Sequence, residues 1–168
     1  MGIFYRAQQF WQAIRIKALP ETAVSTINAQ LTTAEQAIFY QLPISDQWHS
    51  YKVLQTLQSA GAMDSALQTA ALLHDVGKAQ SPLSVWDRSF IVLMKRLLPK
   101  QTAVWGDGEA VGWKRPFVVR THHPAWGAAM ATTANSNPAV VDLIARHQSP
   151  PNANDEQLRL LQWADDQN

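Results

Sequence analysis

The run Ala70-Ala71-Leu72-Leu73 leads directly into His74-Asp75-Val76-Gly77-Lys78. Four consecutive apolar residues at the end of a helix belong in a core, and that core must then take an imidazole and a carboxylate side by side. Adjacent side chains diverge within a helix, so the pair makes sense only where the helix stops. Gly77 is expected to supply that exit, turning the chain back toward the pair. A bound cation is the chemistry that best justifies ending a buried helix on His and Asp. The chain has no cysteine, which leaves nitrogen and oxygen as ligands for it.

The remaining periodicity is helical. Ile3, Phe4, Phe10, Trp11, Ile14 and Leu19 suggest a first helix over 3–19, stopped by Pro20, and a short one follows over 21–30. Thr32 and Glu35 have the form of a capping box, so a helix starts there and ends before Pro43. Ser45 is expected to cap a helix running to Ala60 and closed by Gly61, and Asp64 to cap the one that carries Leu67 through Leu73 into His74. Ser84 opens a helix over 85–98 with apolar residues around much of its circumference, which reads first as a buried helix and second as a partner or membrane-surface contact. Residues 99–115, with Gly106, Gly108, Gly112, Trp105 and Trp113, read as one long irregular segment, either a lid or binding loop or a plain surface excursion. Helix is expected again over 116–122, broken at Pro124 and resumed to about Ala134. Asn137-Pro138 starts a helix ending near His147, and Asn154 or Asp155 starts the last one, through Leu158, Leu160, Leu161 and Trp163. Phe117-Val118-Val119 is the only strand-like stretch, and it is short. The fold expected is all-α, without internal repeats.

Bulk properties exclude several classes. A length of 168 residues with 46% apolar and 16% charged content suits one soluble domain with a sizeable core. The formal charge of +1 is made of scattered residues, so neither nucleic acid nor a membrane is signalled as a partner. With no signal pattern and no apolar run of spanning length, the expected location is the cytoplasm.

The chain has five histidines, His49, His74, His122, His123 and His147, each on or at the end of an expected helix. A lone histidine on such a face is usually a satisfied core residue. Five of them, with Asp75 and the late Asp165, fit a shared polar centre better, since each buried ring without a partner costs about 1–3 kcal/mol. Side chains from several helices commonly converge to build such centres.

In this order the residues resemble the HD-domain superfamily of metal-dependent phosphohydrolases, over roughly residues 42–167. His49 in Asp46-Gln47-Trp48-His49-Ser50, the His74-Asp75 pair and Asp165 match the basic pattern. His123 in His123-Pro124-Ala125-Trp126-Gly127 and His147 in Arg146-His147-Gln148 match the two further histidines of an extended subgroup. The resemblance implies a helical HD domain at 42–168, with residues 1–41 as an extra N-terminal helical segment packed on it. It implies that His49, His74, Asp75 and Asp165 hold one metal, and that His123 and His147 hold a second with Asp75 bridging. The ions would be divalent transition metals such as Mn, Fe, Co, Ni or Zn. It further implies hydrolysis of a phosphoester or phosphoanhydride, of a nucleotide for preference, by metal-bound hydroxide.

Lys78 is assigned a catalytic role beside Asp75, placing a positive charge near the phosphoryl oxygens. As a last-turn lysine it would otherwise serve only the helix dipole. His122 reads as a neighbour of the ligands, and Arg115, Arg120 and Arg146, with Lys114, are weaker candidates for phosphate contacts. The chain lacks the Gly-Tyr-Pro segment of the cyclic-di-GMP phosphodiesterase branch, and Gln148 stands where that branch has a histidine. The arrangement is closer to small bacterial HD proteins that include symmetrical diadenosine-tetraphosphate hydrolases, but with a longer stretch between Lys78 and His123. Two other readings compete: a di-iron oxygenase on the same ligand set, and a regulatory module that binds metal or nucleotide without turnover. The expected partner is a small phosphorylated substrate, and self-association into a homo-oligomer is left open.

Overall fold

The computed structural model describes residues 18–150 and 152–168. Among them are nine α-helices and no strand: α1 (Glu21–Gln30), α2 (Thr33–Phe39), α3 (Ile44–Ser59), α4 (Ser65–Leu73), α5 (Val85–Leu97), α6 (Pro99–Gly106), α7 (Arg115–Thr133), α8 (Pro138–Arg146) and α9 (Glu156–Asp166). Two 3-10 turns cover Val76–Gln80 and Gly112–Lys114. The helix expected over 3–19 lies almost wholly outside the described residues. No described helix is long and apolar enough to cross a membrane.

The fold is built around α4. Asp64 caps it by accepting from the Leu67 N–H at 2.8 Å, and every residue from Leu67 to Leu73 is buried. A short helix that is apolar nearly all round must be enclosed by others. Ile27 of α1, Phe39 of α2, Leu54 and Leu57 of α3, Leu143 and Ile144 of α8, and Leu158 and Leu161 of α9 enclose it in one cluster. Each such leucine contributes about 1.5–3 kcal/mol of burial. The consequence is positional: α4 ends on His74 in the middle of the protein, with α3, α7, α8 and α9 around it.

Local signals set most of the boundaries. Thr32 and Glu35 form a reciprocal capping box, as do Ser84 and Asp87. Asn137 caps α8 and Asp155 caps α9, and Gly61, at φ 77°, closes the exit from α3. Ser45 is not a cap. α3 starts two residues earlier than that cap implies, after Pro43, whose extended backbone and 2.8–3.0 Å carbonyl bonds from Asp46 and Gln47 open the helix.

Four further expectations are corrected. Gly77 has an ordinary negative φ and lies inside the 3-10 turn, so it does not reverse the chain; its smallness instead lets the turn press against the backbone of α7. Residues 99–115 are not one irregular segment. Pro99 does not simply end the preceding helix but occupies the first position of α6, leaving only 107–111 irregular. Gly106 is buried because a Cβ there would lie 2.2 Å from Thr121 Oγ1, and Phe117 of α7 holds the rings of Phe90, Trp105 and Trp113 edge-on at 5.5, 5.2 and 6.5 Å. α7 runs unbroken through Pro124. Finally, α5 is not a buried helix: Ile91 faces in, while Val92, Leu93 and Leu97 are 70%, 54% and 62% exposed. Periodicity identifies a helix but not what covers it.

Candidate metal centre

Two histidines of the centre sit at helix ends. His74 and His147 are the C-caps of α4 and α8, where last-turn carbonyls lack donors. Each imidazole supplies one: His74 Nδ1–H donates to Ala71 O at 2.9 Å and His147 Nδ1–H to Ile144 O at 2.8 Å. His123 reaches the same arrangement inside α7. Pro124 has no N–H to give to Arg120 O, and His123 Nδ1–H takes that carbonyl at 2.9 Å, with Val119 O at 3.0 Å. This explains both the unbroken helix and the orientation of the ring. With Nδ1 committed to backbone in all three, the tautomer that these bonds assign leaves each Nε2 as a lone pair.

Those lone pairs converge on two clusters. In one, His49 Nε2 lies 2.9 Å from Asp165 Oδ1, and His74 Nε2 lies 3.5 Å from the same oxygen. In the other, His123 Nε2 is 3.2 Å from His147 Nε2. Asp75 stands between them. Its Oδ1 is 3.2 Å from His123 Nε2 and 3.9 Å from His147 Nε2. Its Oδ2 is 3.6 Å from His74 Nε2 and 3.9 Å from His49 Nε2. One carboxylate thus offers one oxygen to each cluster. Lys78 Nζ donates to Asp75 Oδ2 at 2.5 Å.

The electrostatics favour ionised carboxylates. Burial alone would raise Asp75, but Lys78, His74 and His123 hold it well below the usual carboxylate range. Asp165 is also lowered: burial opposes this and is outweighed by hydrogen bonding to His49 and the proximity of His74. His147 is pushed down to about 3, first by burial and then by the charge of His74, which keeps its imidazole neutral and able to ligate. For His74, burial is outweighed by Asp75 and Asp165, and the net direction is upward.

The other residues singled out in the sequence scatter. His122 stacks on Trp126 at 5.9 Å and joins neither cluster. Arg115 is held by Asp87 at 2.9 Å and by Pro82 O at 2.9 Å. Arg146 is held by Asp142 and by Asp155, and Lys114 lies over the Trp113 ring. Arg120 does face the centre, through a cavity it shares with His147 and Asp165. Three residues there had not been singled out for a role at the site: Gln148, whose side-chain nitrogen is 3.4 Å from His123 Nε2, and Arg159 and Trp163 in the cavity wall. For Arg159 and Trp163 the available signal was their spacing from Asp165 on one helix, six and two residues back.

Do these residues fit metal? His74 Nε2 is fully buried and has no hydrogen-bond partner, a condition that costs about 1–3 kcal/mol unless something satisfies the lone pair. Two imidazoles and a carboxylate per cluster, with the Nδ1 groups of His74, His123 and His147 anchored to backbone, are a donor set for borderline divalent ions. They fit. No curated protein and no solved structure matches the chain. A sequence profile does: that of the HD domain, over residues 48–166.

Proposed function

The chain belongs to the HD-domain family, and from that membership we propose that it is a metal-dependent phosphohydrolase with a dinuclear centre, cleaving a phosphoester or phosphoanhydride of a nucleotide. The observation that carries this reading is the division of Asp75, with Oδ1 toward His123 and His147 and Oδ2 toward His49, His74 and Asp165. A carboxylate so placed is suited to bridge two ions. His49, His74 and Asp165 would hold one ion, His123 and His147 the other, and Asp75 both.

When bound, such ions supply an acidified water and neutralise charge on the phosphoryl group. The chain's own part is to keep the ligands oriented and charged. The carbonyls of Ala71, Arg120 and Ile144 fix three imidazole rings. Lys78 holds a positive charge on the Oδ2 side of Asp75, where it can meet a phosphoryl oxygen. Gln148 offers an amide beside His123. The reaction is a hydrolysis, in which an oxygen from water bonds to phosphorus while the leaving oxygen departs with the electron pair of the broken P–O bond.

The test is metal analysis combined with turnover. Protein loaded separately with Mn, Fe(II), Co or Ni is expected to bind two ions per chain and release phosphate from members of a nucleotide panel. Failure of all four forms on the whole panel overturns the reading, and oxygen uptake by the iron form would replace it with the oxygenase alternative.

A further inference from the structure

A cavity of about 730 Å³ opens beside the centre, a volume suited to a small molecule. Its wall includes His147 and Asp165, one from each cluster, and extends along α9 past Trp163 to Arg159, with Arg120 of α7 also in it. Arg159 lies six residues before Asp165, about 9 Å along the helix axis. That span exceeds one phosphoryl group, so an occupant touching both ends is extended.

The two arginines differ from their neighbours. Arg88, Arg115 and Arg146 are each held by a carboxylate. Among the described residues Arg120 and Arg159 join no ion pair, and the one side-chain hydrogen bond of Arg159 is a long 3.4 Å contact to Ala153 O. An uncommitted guanidinium in a cavity wall is suited to a phosphate. Trp163, 44% exposed in the same wall, offers an aromatic face. Glu156 and Asp166 also line the cavity. They disfavour an all-anionic chain such as inorganic polyphosphate, and accept hydrogen bonds from hydroxyl or amino groups.

We propose that this groove holds the part of the substrate beyond the cleaved phosphoryl group, with Arg120 and Arg159 on a second phosphate and Trp163 against a base. The substrate class is then a nucleotide carrying a phosphoanhydride, rather than a simple phosphomonoester. This rests on the phosphohydrolase reading above and adds the residues that choose among its substrates.

The experiment compares ADP, GDP, CDP and UDP with p-nitrophenyl phosphate on the metal-loaded full chain, for wild type, Arg120→Ala, Arg159→Ala and Trp163→Ala. For each variant the ratio of kcat/KM on the best diphosphate to that on p-nitrophenyl phosphate is expected to fall roughly tenfold, the loss of one charge-assisted or stacking contact. An unchanged ratio in all three overturns the proposal. Calorimetry with α,β-methylene-ADP and α,β-methylene-GDP gives a readout independent of turnover. Binding roughly tenfold weaker in Arg159→Ala supports the groove even if no compound is hydrolysed, an outcome that would sink the phosphohydrolase reading alone. Equal binding by wild type and variant, or none by wild type, overturns it.

Discussion

Gly77 and Gly127 meet backbone to backbone. A Cβ on Gly77 would lie 2.0 Å from His123 O and 2.6 Å from Gly127 N, so the turn after the His-Asp pair can press against α7 only because residue 77 has no side chain. This contact sets the distance between Asp75 and His123. Gly77→Ala gains some stability from a stiffer unfolded chain, about 0.4–1 kcal/mol, but forcing backbone apart costs about 1–3 kcal/mol or more, and the clash wins. Urea denaturation should show Gly77→Ala destabilised by more than Gly127→Ala. At Gly127 a Cβ would meet Ile144 Cγ2 at 3.1 Å and Gly77 N at 3.2 Å, tight contacts but far short of the overlap at Gly77, and a helix-interior Gly→Ala change recovers about 1 kcal/mol. Equal stabilities would refute the claim.

Asp75→Asn keeps the shape and replaces one ligating oxygen with an NH2 that cannot ligate. Because the two oxygens face different clusters, metal content should fall to one ion per chain or fewer. Phosphate release should drop by roughly two to three orders of magnitude, the range lost with a charge-stabilising group at such centres. Elemental analysis that finds two ions in the folded variant would remove Asp75 from the bridging position.

What could be read from the sequence, and what could not, divides along physical lines. Caps are local, and Thr32, Asp64, Ser84, Asn137 and Asp155 each cap the helix expected of them. The clustering of His49, His74, Asp75, His123, His147 and Asp165 was legible because the residues follow the order of the HD pattern and because five helix-borne histidines with two carboxylates need a common partner. Pro124 misled because the hydrogen bond it forfeits is restored by the side chain of His123, which no propensity scale contains. α6 was hidden by Gly106 and Trp105, whose reason is the packing against Thr121 and Phe117 on α7. The exposure of α5 depends on what packs beside it, and periodicity carries no information about that.

Pro124→Ala should separate stability from metal binding. The new N–H at 124 competes for Arg120 O, strengthening α7, since an interior proline costs a helix up to about 3 kcal/mol. His123 Nδ1 then keeps only Val119 O at 3.0 Å, and its ring is held less firmly. The expected outcome is a protein at least as stable as wild type but with metal affinity about tenfold lower, the low end for loss of a ligand-orienting contact. Thermal melts and chelator competition measure the two. An unchanged affinity would show that Arg120 O does not orient the ligand.

Asp46, one turn before His49 on α3, is 2% exposed and accepts from Arg88 at 2.6 Å, while its second oxygen is buried without a partner. Arg88 is partly exposed, so the pair is screened on one side. Truncating it still strands a buried carboxylate, and Arg88→Ala should cost about 1–3 kcal/mol. Asp46→Ala with Arg88→Ala should cost less than the sum of the two single changes. Strict additivity in a double-mutant cycle would mean the pair is not coupled.

Asp87 joins three contacts at the start of α5. Its carboxylate accepts from Ser84 N–H and Ser84 Oγ–H, both at 2.8 Å, and from Arg115 at 2.9 Å. Its partial burial opposes ionisation, and the two Ser84 bonds and Arg115 outweigh it, so the group lies below the usual carboxylate value. A folded-state value below the unfolded one means that folding favours the ionised form. The stabilisation is complete above the unfolded value, about 4 for an aspartate, and is lost as pH falls through the lower folded value. Asp87→Ala should therefore be less stable than wild type by about 0.5–2 kcal/mol at pH 7, the scale of a lost cap, and the gap should narrow as both proteins are taken below roughly pH 4. Urea titrations at a series of pH values measure it. A gap that persists unchanged into acid would mean that Asp87 acts through its shape and packing rather than its charge.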